Sequence, residues 1–133
     1  MHSIEFEYSA YKGLKVPLIP VEIKGKDRWH ELWAFVDSGA TYSIFEAKEA
    51  ELLGIDILTG QKMMIVVGDG SFIPVYFHTI MMKLGDVEFQ TKIGFSERLG
   101  VGFNLLGRKG LFEIFKVCFS DRENKVSFIK EEA

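Results

Sequence analysis

Phe35-Val36-Asp37-Ser38-Gly39-Ala40-Thr41-Tyr42-Ser43-Ile44-Phe45 sets one carboxylate between two apolar, β-rich runs. The pattern predicts a strand, a tight turn and a second strand, with Asp37 at the turn. Burying such an aspartate is costly unless donors meet its oxygens or its pKa rises, and Ser38, Gly39 and nearby backbone amides can supply those donors. Asp-Ser-Gly is also ordinary turn chemistry, so the tripeptide alone leaves a structural and a chemical reading open.

Outward from this stretch, composition narrows the class. The 133 residues fit one domain, spanning 1–133, and 47% hydrophobic and 14% aromatic content with 12 Phe favours a mostly-β fold. A net charge of -3, with lysines and arginines scattered among acids, excludes a basic stripe for nucleic acid. The single Cys118 cannot form an internal disulfide, and no secretory signal pattern opens the chain, so the expectation is an intracellular, cytoplasmic protein. No apolar stretch approaches the ~20 residues of a membrane helix, and no membrane partner is expected. His2, His30 and His78 lie far apart without ligand spacing, so neither metal nor cofactor is expected.

Upstream of Asp37, Ile4 to Tyr8 alternates as an outer strand, and Val16 to Lys24 reads as another, with Pro17 and Pro20 limiting its ladder. Gly25-Lys26-Asp27 turns the chain into Trp29 to Val36, which delivers Asp37 at the end of an inner strand. Downstream, Glu46 to Leu53 is built of helix formers and stops at Gly54. Met63 to Val67 and Ser71 to Phe77 flank Gly68-Asp69-Gly70 as a hairpin, and His78 to Leu84 with Val87 to Phe95 forms a second around Gly85-Asp86. After a loop from Ser96 to Phe103 comes Asn104-Leu105-Leu106-Gly107-Arg108, then a short helical segment, Lys109 to Phe115. A last hairpin runs through Val117 to Ser120 and Lys125 to Ile129, and Cys118 is expected there as a small buried hydrophobe.

The order hydrophobic-hydrophobic-Asp37-Ser38-Gly39-Ala40-Thr41, short helix, glycine-tipped hairpin, Leu105-Leu106-Gly107-Arg108 resembles the retropepsin-like aspartic peptidases, in their cellular and bacterial branch. The resemblance covers about Val16 to Phe115. It implies a closed barrel with one or two short helices, one lobe per chain. It also implies an aspartic endopeptidase in which Asp37 is catalytic and Ser38, Gly39, Ala40 and Thr41 support the active-site loop. Gly68, Asp69, Gly70 and Phe72 would belong to a substrate-binding flap, and Leu105, Leu106, Gly107 and Arg108 would brace the site from beneath. Val36, Ile73 and Leu105 are expected as apolar cleft walls.

Hydrolysis without metal or covalent nucleophile needs a base for the water and an acid for the amide, which two carboxylates sharing a proton provide. This chain has one Asp-Ser-Gly, so the expected active unit is a homodimer acting on peptide or protein substrates, with Asp37 supplied by each subunit. Two Asp69 side chains would then meet near the two-fold axis, with repulsion that eases as they protonate in acid. Retroviral relatives commonly carry an acid at the position of Thr41, paired with the equivalent of Arg108; the hydroxyl here leaves that arginine's partner open. The final hairpin also departs from retroviral chains. Two rival readings are a catalytically weak or inactive dimeric peptide-binding module of the same fold and a β-barrel carrier for a small molecule, in which Asp37 would be a turn residue.

Overall fold

The computed structural model describes residues 3–131; His2 and the extreme ends of the expected domain lie outside them. Strands β1 (Ser3–Glu7), β2 (Ser9–Tyr11), β3 (Leu14–Val16), β4 (Leu18–Lys24) and β5 (Trp29–Val36) lead to Asp37. Then follow β6 (Ile44–Glu46), α1 (Ala47–Leu53), a 3-10 turn (Ile57–Thr59), β7 (Gln61–Val66), β8 (Phe72–Leu84) and β9 (Val87–Ser96). The chain ends in β10 (Asn104–Leu106), β11 (Phe115–Ser120) and β12 (Lys125–Lys130).

The central sheet runs β4-β5-β10-β6-β9-β8-β7, and pairing of Glu22 with Lys83 and of Ile23 with Met82 joins β4 back to β8. A ring of strands closes, with β7 left projecting beyond it. The closed ring of strands anticipated from the sequence is therefore present, in one lobe with one short helix. Strict alternation in β4 and β5 sends Ile19, Val21, Ile23, Leu32, Ala34 and Val36 inward, all nearly inaccessible to solvent. Phe45, Phe95, Phe115 and Phe128 fill the interior, and edge-to-face contacts link Phe45 with Phe95 and Phe115 with Phe128. The helix α1 buries Ala50 and Leu53, which share a face at three-residue spacing, and ends at Gly54 with φ 76°, where a side chain would be strained.

Several elements differ from expectation. Val16 to Lys24 is not one strand: Pro17 separates β3 from β4, and β3 turns back on β2 through Lys12 and Gly13, both at positive φ. Ser71 to Phe77 and His78 to Leu84 are a single strand, β8, whose first half pairs with β7 and whose second half pairs with β9. Lys109 to Phe115 is not a helix. Gly110 takes φ 99°, which breaks α geometry, and the segment closes as irregular turns in which the Glu113 amide donates to the Arg108 carbonyl and the Ile114 and Phe115 amides both donate to the Leu111 carbonyl, at 2.9 and 3.0 Å for the last two. Cys118 is exposed rather than buried, because alternation along β11 turns Phe115 inward and Cys118 outward. The last hairpin does form, and β12 pairs with both β11 and β1.

Candidate active site

Strand β10 runs parallel to β5 and lies between β5 and β6, with Leu105 opposite both Phe35 and Ile44. The chain leaving β5 must therefore cross the end of β10 before entering β6. Asp37 sits at that crossing. Its amide donates to the Leu106 carbonyl at 2.9 Å, which fixes the loop to the Leu-Leu-Gly-Arg segment through backbone alone. The Ala40 amide donates to the Asp37 carbonyl at 3.1 Å and closes the turn, while the Gly39 amide donates to Asp37 Oδ1 at 2.9 Å. The carboxylate is thus oriented by its own loop, half-exposed, and open to a ligand.

Beneath the loop, Gly107 is packed where no side chain fits: a Cβ there would lie 2.7 Å from the Ala40 carbonyl oxygen and closer still to that of Tyr42. The Arg108 and Lys109 amides donate to the Ala40 and Thr41 carbonyls at 2.9 and 2.8 Å. The buried Ser43 hydroxyl accepts from the Gly107 amide and donates to the Lys109 carbonyl, both at 2.9 Å. In the sequence Ser43 reads only as part of the second β-rich run after the Asp37 turn. No local pattern marks it, since its partners lie more than sixty positions away.

A cleft of about 550 Å³ opens above Asp37. Gly39, Ala40 and Thr41 line it on the loop side, Met63 to Gly68 on the hairpin side, and Ile44, Leu99, Val101 and Leu105 form apolar walls. Leu105 is thus a wall as expected, but Val36 and Ile73 are not, since both are buried in the interior. Of the four hairpin residues expected at a substrate site, Gly68 lines the cleft and Asp69, Gly70 and Phe72 do not; Phe72 is 61% exposed. Gly70 takes φ 87°, and Asp69 caps the turn, accepting at Oδ1 from the Ser71 hydroxyl (2.6 Å) and amide (2.9 Å). These bonds hold the Asp69 carboxyl below the usual range, so acid discharges it at a lower pH than an ordinary aspartate.

Arg108 is exposed, and among the described residues no carboxylate pairs with it; Thr41 contributes its carbonyl, not a charge. Leu106 is fully buried below the loop. His30 is buried against Asp27, and the His78 ring bonds the Ile57 carbonyl at 3.0 Å. Among the described residues no three His, Cys, Asp or Glu side chains are grouped to hold a metal ion.

A loop of this kind, pinned over Leu-Leu-Gly-Arg and closed by a ring of strands, has a counterpart in known families. The family model described as Aspartyl protease matches residues 19–108, most of the chain. The chain belongs to the aspartyl protease family. The match spans the Asp37 loop, the β7–β8 hairpin and Leu105 to Arg108. Among solved structures, this aspartyl protease family member is similar to a retropepsin-like aspartic protease from Rickettsia conorii, at 18% identity and TM-score 0.68, covering 96% of this chain and 91% of that one. It is also similar to EIAV protease complexed with the inhibitor HBY-793, at 20% identity and TM-score 0.54, covering 75% of this chain and 88% of that one. At these identities the likeness establishes the retropepsin-like fold. No curated protein matches the sequence. Among the described residues no helix is long and apolar enough to cross a membrane.

Proposed function

We propose that residues 1–133 act as one retropepsin-like aspartic endopeptidase domain whose working unit is a homodimer. The observation that carries this reading is a single oriented carboxylate, Asp37, half-exposed at an open cleft in a chain with no second Asp-Ser-Gly. One carboxylate cannot be base and acid at once. Two of them about 3 Å apart cannot both ionise, so they share a proton: one takes a proton from the attacking water while the other protonates the carbonyl oxygen, and the first then passes its proton to the leaving amine as the second takes one back from a hydroxyl of the tetrahedral diol.

In this reading Ser38, exposed beside Asp37, braces the two loops across the two-fold axis. Gly39 leaves its surface free of a side chain, so substrate backbone approaches closely. The β7–β8 hairpin serves as the flap: Gly68 faces the cleft, and the glycine-rich tip allows opening and closing over an extended peptide. The aspartyl protease family match and the apolar cleft walls support a peptide ligand with hydrophobic side chains.

Peptide-library digestion by wild type and Asp37→Asn, together with sedimentation of both, tests the reading. Cleavage by wild type alone, from a dimer, is the expected result. Peptide binding without cleavage by wild type identifies the chain as a binding module of the same fold, and a strictly monomeric active species overturns the shared site.

A further inference from the structure

A second cavity, about 580 Å³, adjoins the cleft and shares Tyr42 and Met63 with it. Its chemistry is different. Among the described residues, Asp37 is the only acidic or basic side chain lining the cleft, so the cleft sorts ligands by size and apolarity. The second cavity is lined by Lys92 and Lys109, with Gln61, Gln90 and Glu113 around them. Among the described residues neither lysine has a carboxylate within ion-pairing distance, although the protein as a whole carries a net charge of -3. Among the described residues Glu113 is the one acid in the lining, and its Oε1 is engaged by the Gly110 amide at 3.1 Å. Two cations against one tethered anion leave the cavity positive.

The lysines are also held in place by backbone. Lys109 bridges to Tyr42 across the sheet, and its amide is bound to the Thr41 carbonyl at 2.8 Å. Lys92 lies on β9 opposite Thr79 of β8. The neighbouring Thr91 hydroxyl donates to the Gly110 carbonyl at 2.8 Å, tying β9 to the segment that carries Lys109. Tyr42, with its ring 5.3 Å from that of Phe77, stands between the cleft and this basic cavity.

We infer that the Lys92–Lys109 cavity is an extended specificity site that takes an acidic side chain of the substrate peptide, beyond the positions flanking the scissile bond. This rests on the peptidase reading. An extended peptide advances about 3.3 Å per residue, so a ligand in the cleft that continues past Tyr42 and Met63 brings its outer side chains over the two ammonium groups. Two-fold symmetry places one such cavity at each end of the joined cleft. The substrate class is therefore a peptide with an apolar centre and Asp or Glu towards both ends.

The test is digestion of one peptide library by wild type, Lys92→Gln/Lys109→Gln and Lys92→Glu/Lys109→Glu. Both lysines are exposed, so the variants are expected to fold, and their melting curves check this. Wild type is expected to enrich Asp and Glu at outer positions on both sides of the bond; the Gln pair loses the enrichment, and the Glu pair reverses it towards Lys and Arg. For two peptides differing only by Glu or Gln at the enriched position, the wild-type kcat/KM ratio is expected to be about fivefold, falling as salt rises. Cleavage with the same outer profile in all three proteins overturns this inference and leaves the peptidase reading standing. A wild type that binds no peptide and cleaves none overturns both.

Discussion

The Gly107 amide donates to the Ser43 hydroxyl at 2.9 Å, and the same hydroxyl donates onward to the Lys109 carbonyl at 2.9 Å. One side chain thereby ties the strand leaving the Asp37 loop to the segment beneath it. Ser43→Ala leaves the buried Gly107 amide without its acceptor, at a cost of about 1 to 3 kcal/mol. Gly107→Ala drives a methyl group against two backbone carbonyls that cannot rotate away, at about 2 to 3 kcal/mol. Urea unfolding checks both; a midpoint unchanged by Gly107→Ala would show that the loop does not rest on the glycine.

Asp37→Asn is expected to remove cleavage, by at least about a thousandfold, while leaving the fold intact. The substituted side chain keeps an Oδ1 that accepts from the Gly39 amide, so the turn retains its inner hydrogen bond. Peptide hydrolysis and thermal melting, measured side by side, separate the two effects. Undiminished cleavage would place the chemistry elsewhere.

At the hairpin tip, the depressed Asp69 pKa comes first from the Ser71 hydroxyl and then from the Ser71 amide. A lowered pKa contributes stability that is present above the ordinary aspartate range and is lost as pH falls through the lowered value. Acid thus loosens this turn as it discharges it. Ser71→Ala should raise the Asp69 titration midpoint towards the ordinary value, read by carboxyl carbon resonances against pH. An unmoved midpoint would contradict the hydrogen-bond cause.

Between β1 and the final hairpin, the hydroxyl of the buried Tyr8 donates to Asp121 at 2.8 Å. Burial, followed by this bond and the aspartate charge, pushes the Tyr8 pKa up to about 12. A raised folded-state pKa contributes stability that is full below the unfolded value, about 10, and is lost as pH climbs towards 12. Wild type should therefore lose stability between these limits more steeply than Tyr8→Phe. Parallel alkaline slopes in urea unfolding would contradict this.

The loop and its support were legible because both are local: an apolar run ending in Asp-Ser-Gly, and Leu-Leu-Gly-Arg with a glycine that admits backbone contact. Strand alternation likewise gave β5 and the final hairpin. What stayed hidden depends on partners distant in sequence. Nothing local distinguishes β8 as one strand serving two neighbours from two strands in succession, because alternation is blind to which strand lies alongside. The expected helix after Arg108 gave way to Gly110 in a left-handed conformation, with the Thr91 hydroxyl holding its carbonyl. Ser43 was overlooked for the same reason, since its role exists only once β6 and the Gly107 segment meet.

The shared site is tested most directly by mixing. Wild-type chains at fixed concentration are equilibrated with increasing Asp37→Asn chains, and peptide cleavage is followed. If each site needs Asp37 from both subunits, mixed dimers are inactive, and cleavage falls to about half at an equal amount of variant and continues downward. Cleavage that stays constant at every ratio would show that one chain carries a complete site and would contradict the homodimeric mechanism.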